Sequence, residues 1–149
     1  MADEMLVDTN VLVYAYDRAE PRKQKEALET MRRLVSSGRG KLSAQILGEF
    51  FRAVTQKIKA PMSAGDAYGQ IIVLIRALPV LPITPLVVLE AARGVRDHRL
   101  AYWDAQIWAT ARLNQIPLVL SEDFKDGSVL EGVRFANPFA RAFDPTTIR

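Results

Sequence analysis

The first candidate for chemistry is Asp8-Thr9-Asn10, three polar residues set into the otherwise apolar run Leu6–Tyr16. Asp8 has two readings: a cap for the following helix, or a carboxylate offered to a metal at a strand end. The second candidate is Asp104. At about 100° per residue, Leu100, Ile107, Trp108 and Ala111 fall within about 60° of it, so the acid stands in the middle of an apolar stripe. An ionised carboxylate buried there needs a cation, a metal or several hydrogen bonds. Arg96 and Arg99 are near enough in sequence to supply an ion pair, and a metal is the other reading. The third candidate is the run SEDFKDG, residues 121–127, with Glu122, Asp123 and Asp126. A solvated loop is the default for such a cluster. Asp123 stands out because it follows the end of an apolar strand, beside Ser121.

The ligand chemistry is narrowed by what is missing. The chain has no cysteine and one histidine, His98, which excludes thiolate zinc, iron–sulfur and polyhistidine sites. A metal here would be held by oxygen, which favours Mg²⁺ or Mn²⁺.

Other polar residues carry a plainer reading. Glu49 groups with Gln45, Arg52 and Gln56 on the polar side of its helix, and periodicity makes it a solvated charge paired with Arg52. His98 reads as a helix-end residue, Trp103 and Trp108 as core. The basic residues of the central helices, among them Arg52, Lys57 and Lys59, read as solvated faces.

The elements that must position these groups alternate. Met5–Val7 is a strand, and a helix follows over Asn10–Asp17 with Thr9 or Asn10 as cap. Pro21 opens a helix to about Ser37, ended near Gly38. Lys41–Ser43 is a strand, and Ala44–Lys59 a helix. Ser63 with Asp66 resembles a capping box for a helix to Leu78. Val80–Ile83 is a strand that Pro82 assigns to an edge. Thr84-Pro85 starts a helix to Arg96, and another runs from near Leu100 to Asn114. Leu118–Leu120 is a buried strand, and Val133–Phe135 a final one. Short apolar strands between helices imply a three-layer α/β/α sandwich with a short, mostly parallel sheet. Sites in such sheets lie beyond the carboxyl ends of the strands, where Asp8 and Asp123 fall.

The chain has 149 residues, 49% hydrophobic and 25% charged, which suits one globular domain over residues 1–149. The opening MADEM is acidic and lacks a basic n-region, so a cytoplasmic protein is expected. The apolar runs at 71–75 and 78–81 are far short of the ~20 residues that span a bilayer. A net charge of +3 points only weakly to a polyanionic partner.

The segments LVDTNVLVYAYD, SAQILGEFFRAV, YWDAQIWATA and LVLSEDFKDG, in this order, resemble a PIN domain of the VapC toxin type over nearly the whole chain. The resemblance implies a PIN-like fold and a ribonuclease dependent on Mg²⁺ or Mn²⁺. It implies that Asp8, Glu49, Asp104 and Asp123 form one acidic pocket, with Asp8, Asp104 and Asp123 on the metal and Glu49 bound directly or through water. Asn10 and Ser121 match positions that support the pocket. It overrides the periodicity reading of Glu49, and it favours Asp123 over Glu122 and Asp126. It also implies a small cognate antitoxin and a homodimer, with the apolar helix around Ile71–Leu78 as one candidate surface. RNA needs cations near an acidic pocket, and Arg93, Arg96 and Arg99 are the candidates just ahead of Asp104.

Two other classes compete. One is a non-catalytic PIN-like module that binds RNA or protein. The other is a phosphatase of the haloacid dehalogenase type or a receiver domain. That phosphatase wants a second aspartate two residues after Asp8, where Asn10 stands, and a receiver wants an acidic pair that Asp8 lacks.

Overall fold

At the centre of the computed structural model is strand β1, Met5–Val7, with Leu6 and Val7 fully buried. The structure describes residues 3–149; Met1 and Ala2, the start of the acidic opening segment, lie outside the described residues. The other strands are β2 (Gly40–Ser43), β3 (Val80–Leu81), β4 (Leu118–Leu120), β5 (Val129–Leu130) and β6 (Val133–Ala136). Among the described residues they form one sheet in the order β3-β2-β1-β4-β6-β5. Every pairing is parallel except β5 with β6. Burial on both faces explains why β1 and β4 read as continuous apolar runs rather than alternating ones.

The helices are α1 (Thr9–Tyr14), α2 (Pro21–Ser37), α3 (Ala44–Gln56), α4 (Ala64–Ala77), α5 (Pro85–His98) and α6 (Tyr102–Leu113). They sandwich the sheet, giving the expected three-layer, mostly parallel α/β/α architecture. Local chemistry sets their starts. Ser43, Ser63 and Thr84 accept hydrogen bonds from the backbone N–H of Ile46, Asp66 and Val87 at 3.3, 3.1 and 3.2 Å. Pro21 and Pro85 occupy first helical positions. Val80–Leu81 is an edge strand, as Pro82 required.

Several elements differ from the sequence reading: α1 ends at Tyr14, α3 at Gln56 and β3 at Leu81, each before its expected end. The cap of α1 is Asp8 rather than Thr9 or Asn10. Strand β5 was not anticipated; it pairs with β6 through Glu131 and Gly132, both at positive φ, the geometry of a tight hairpin turn. Helix α6 begins at Tyr102, after Arg99 closes α5 in the left-handed region at φ 57°. That shift puts Asp104 in the first turn of α6 rather than midway along a buried stripe. From Ala105 to Ala111 every residue of α6 is buried, so the helix has no single apolar stripe there.

Helices α5 and α6 pack tightly because Gly94 has no side chain: a Cβ there would stand 2.8 Å from the Trp108 ring. Trp108 is fully buried and donates from Nε1 to the Leu130 carbonyl at 3.2 Å. No helix among the described residues is long and apolar enough to cross a membrane.

Candidate active site

Strand register makes the first contact of the site. Val7 pairs with Leu120, and the Asp8 N–H donates to the Leu120 carbonyl at 2.9 Å. The residues after β1 and β4, Asp8 and Ser121, therefore lie side by side at the C-terminal edge of the sheet. Ser121 Oγ donates to Asp8 Oδ2 at 2.7 Å, and the Thr9 N–H donates to Oδ1 at 2.7 Å. Asp8 is only 4% exposed. Burial pushes its carboxyl up to about 6; the Ser121 and Thr9 bonds pull it down, and the charges of Asp123 and Glu49 push it further up.

Asn10 ties this pair to the loop after β4. Its Nδ2 donates to Asp123 Oδ2 at 3.1 Å and reaches Ser121 Oγ at 3.3 Å and Asp8 Oδ2 at 3.4 Å. Its Oδ1 accepts from the Glu122 N–H at 3.3 Å. Ser121 Oγ also accepts from the Asp123 N–H at 3.1 Å, so one hydroxyl joins Asp8 to the start of the loop.

Glu49 arrives from α3, the helix that follows β2. It is half-buried and accepts from Thr9 Oγ1 at 2.7 Å and from Gln45 Nε2 at 2.9 Å. It is not paired with Arg52, the partner that periodicity suggested. Behind it stands a relay that the sequence reading missed: Tyr102 Oη donates to Gln106 Oε1 at 2.8 Å, and Gln106 Nε2 to Gln45 Oε1 at 2.9 Å. Two signals for this relay were in the sequence, the i,i+4 spacing of Gln45 and Glu49 and a glutamine inside the apolar run of α6.

Asp104 is half-buried and forms no ion pair with Arg96 or Arg99. Partial burial raises its carboxyl, and so do the charges of Asp123 and Glu49. Asp8 and Asp104 thus feel the same two neighbours, and all four carboxylates share one field.

The remaining acids are committed elsewhere. Glu122 accepts from Tyr14 Oη at 2.7 Å and from Lys23 Nζ at 2.8 Å. Asp126 accepts from the Asn137 N–H at 2.9 Å. His98 meets Glu131 at 2.6 Å and packs edge-on against Trp108.

The arginines ahead of Asp104 do not join the site. Arg93 is bound to Glu90 and Glu131, and Arg96 to Asp97. Both line a separate cleft of about 550 Å³ with Leu86, Leu89 and Leu113. Arg99 caps α5, exposed to solvent. Glu49 and Asp123 line instead a cleft of about 920 Å³, together with Asn10 and Trp103. Trp103, expected in the core, is 62% exposed.

The donors fit a hard cation. Four carboxylates, an amide and two hydroxyls offer only oxygen for ligation, and no thiolate or imidazole stands among them. As the side chains stand, no three of the His, Asp and Glu residues among the described residues draw close enough to cage an ion. Mg²⁺ takes only one or two direct carboxylates beside its waters, so such a site does not require three acids in direct contact with the ion.

The PIN domain family profile matches residues 5–125, from β1 through the loop after β4, a span that contains all four acids. Solved structures share the fold. The sarcin-ricin loop cleaving toxin VapC20 of Mycobacterium tuberculosis superposes with a TM-score of 0.64 at 18% identity, covering 88% of this chain and 99% of that one. A toxin–antitoxin complex from Klebsiella pneumoniae gives 0.65 at 17%, covering 91% and 98%. DNA-bound VapBC from Salmonella typhimurium gives 0.64 at 15%, covering 92% and 99%. Comparison with curated proteins gives no match. With the family profile spanning most of the chain and the fold shared with these structures, the chain belongs to the PIN domain family.

Proposed function

We propose that residues 1–149 act as one metal-dependent endoribonuclease domain, the toxin of a toxin–antitoxin pair. The observation that carries this reading is that Asp8 and Asp104 both feel the charges of Asp123 and Glu49, the two acids that line an open cleft. Asp8, Asp104 and Asp123 would hold Mg²⁺ or Mn²⁺, with Glu49 bound directly or through water. When bound, the cation supplies counter-charge and Lewis acidity for attack by water on a phosphodiester.

The chain's own residues prepare that attack. Ser121 and Asn10 orient Asp8 and Asp123, and the Thr9 and Gln45 bonds aim one oxygen each of Glu49. Half-buried Glu49, on the cleft wall, stands where it can take a proton from an incoming water. The expected products carry a 3′-hydroxyl and a 5′-phosphate. The similar toxin–antitoxin structures support a small antitoxin as partner, and a homodimer belongs to the same reading. The α4 face with exposed Val73 and Ile75 remains a candidate dimer surface.

RNA cleavage by wild type, Asp8→Asn and Asp104→Asn, each with and without Mg²⁺ or Mn²⁺, tests the reading. Wild type alone should cleave, and only with metal. Equal cleavage by all three would remove the active-site assignment. Absence of metal-dependent cleavage on any RNA would favour a binding module.

A further inference from the structure

The hydrogen bonds behind Glu49 run in one direction only. Gln45 Nε2 donates to Glu49 Oε1 at 2.9 Å and to the Trp103 carbonyl at 3.0 Å. A carboxylate and a carbonyl can only accept, so the Gln45 nitrogen must face them and its oxygen must face Gln106. Gln106 then presents its own nitrogen to Gln45, at 2.9 Å, and keeps its oxygen for the Tyr102 hydroxyl, at 2.8 Å. Neither glutamine can turn over without setting acceptor against acceptor.

Gln106 is 5% exposed, within a stretch of α6 whose every residue is buried. An amide so placed is destabilising unless both of its ends are bonded, and both are. Gln45 and Glu49 stand one turn apart on α3, whose start is fixed by the Ser43 cap. The Trp103 carbonyl belongs to the first turn of α6, the turn that carries Asp104. One amide thus ties together two acid-bearing helices. They lie close enough for the charge of Glu49 to act on Asp104.

We propose that Gln45, locked by Gln106 and Tyr102, is a positioning residue that sets the spacing of Glu49 and Asp104 and so tunes the site to a small cation of strict geometry. This rests on the cation site of the nuclease reading and adds which residues choose the ion. Mg²⁺ demands near-ideal octahedral geometry, so a carboxylate free to wander costs it affinity. Ca²⁺ accepts more oxygen ligands in looser arrangements and loses less.

The protein, freed of metal with EDTA, is titrated with Mg²⁺ and separately with Ca²⁺. Melting temperature against ion concentration gives each dissociation constant without reference to activity. Gln45→Met keeps the length of the side chain and removes both bonding atoms. It should raise the Mg²⁺ constant about tenfold. The Ca²⁺ constant should rise less, so the preference for Mg²⁺ over Ca²⁺ shrinks. Gln106→Met should act in the same direction. The double variant should match Gln45→Met alone, because Gln106 reaches Glu49 only through Gln45. In cleavage, the half-saturating Mg²⁺ concentration should rise by the same factor as the constant, and saturating Mg²⁺ should return most of the rate. Melting temperature without metal reports folding. Tyr102→Phe, which loses only a hydroxyl, should show a smaller loss of Mg²⁺ affinity and carries the test if a glutamine variant does not fold.

Equal Mg²⁺ constants in wild type and Gln45→Met, or equal rises for Mg²⁺ and Ca²⁺, overturn the inference. Additive losses in the double variant overturn it as well. If Gln45→Met binds Mg²⁺ normally but single-stranded RNA more weakly, Gln45 is an RNA contact and the inference falls. A wild type whose Mg²⁺ affinity depends on Gln45 as stated, but which cleaves no RNA, overturns the nuclease reading and leaves this inference standing. A wild type that binds no Mg²⁺ overturns both.

Discussion

The hydroxyl of Thr9 donates to Glu49 Oε2 at 2.7 Å, joining the residue after Asp8 to a helix forty positions later. The bond crosses from the end of β1 to the helix that follows β2, and it turns a glutamate with a polar-face position toward the other acids. Replacing the hydroxyl by a methyl keeps the shape and removes the aim. Thr9→Val should therefore lower the cleavage rate about tenfold with little change in melting temperature. Thr9→Ser should restore most of it. Equal rates in all three proteins would show that Glu49 needs no such support.

Asp8 gives a pH signature in the metal-free protein. Its folded carboxyl titrates near 6, above the unfolded value near 3.9. The folded state therefore holds a proton that the unfolded chain has already released. The stabilisation is fully present below about pH 4 and is lost as pH rises through about 6. Over that window wild type should lose about 2–3 kcal/mol relative to Asp8→Asn. Denaturant unfolding in EDTA across pH 4–7 measures the difference, which cancels the other titrating groups. Parallel curves for the two proteins would refute the buried, charged Asp8.

Relief of that charge should appear as stabilisation by metal. Mg²⁺ or Mn²⁺ at about a hundred times its dissociation constant adds about 2.7 kcal/mol, or about 5–10 °C in melting temperature. EDTA should reverse the shift, and Asp8→Asn or Asp104→Asn should show little of it. An equal shift in both variants would place the ion elsewhere.

The acids of residues 121–127 should separate by function. Asp123→Asn is expected to reduce cleavage by about a hundredfold or more, because Asp123 faces the cleft and its neighbours. Glu122→Gln gives up the Lys23 pair and about 1 kcal/mol of stability while leaving cleavage intact. Asp126→Asn should likewise cleave normally. Loss of cleavage in Glu122→Gln at full folding would mean that the fourth acid has been misassigned.

Much of this protein was legible in its sequence. Continuous apolar triplets marked β1 and β4, and serine, threonine and proline at helix starts marked α2, α4 and α5, because caps and backbone limits act over three or four residues. Asp8 and Asp123 could be placed together because each follows a strand end, and parallel strands end on one edge; Asn10 and Ser121 joined them through the family resemblance. What lay beyond that reach was decided by packing. Periodicity alone left Glu49 in solvent, since it measures only a helix's own faces and the Thr9 hydroxyl comes from another element. Arg93 and Arg96 seemed available until the fold brought Glu131 to Arg93 and turned Arg96 onto Asp97. Trp103 looked like core by its chemistry, yet the late start of α6 left it on the wall of the cleft. Local order follows from short-range sterics and hydrogen bonding, which the residues carry with them. Which charges meet, and which stay open to a partner, depends on contacts between residues distant in sequence, and only the folded chain settles those.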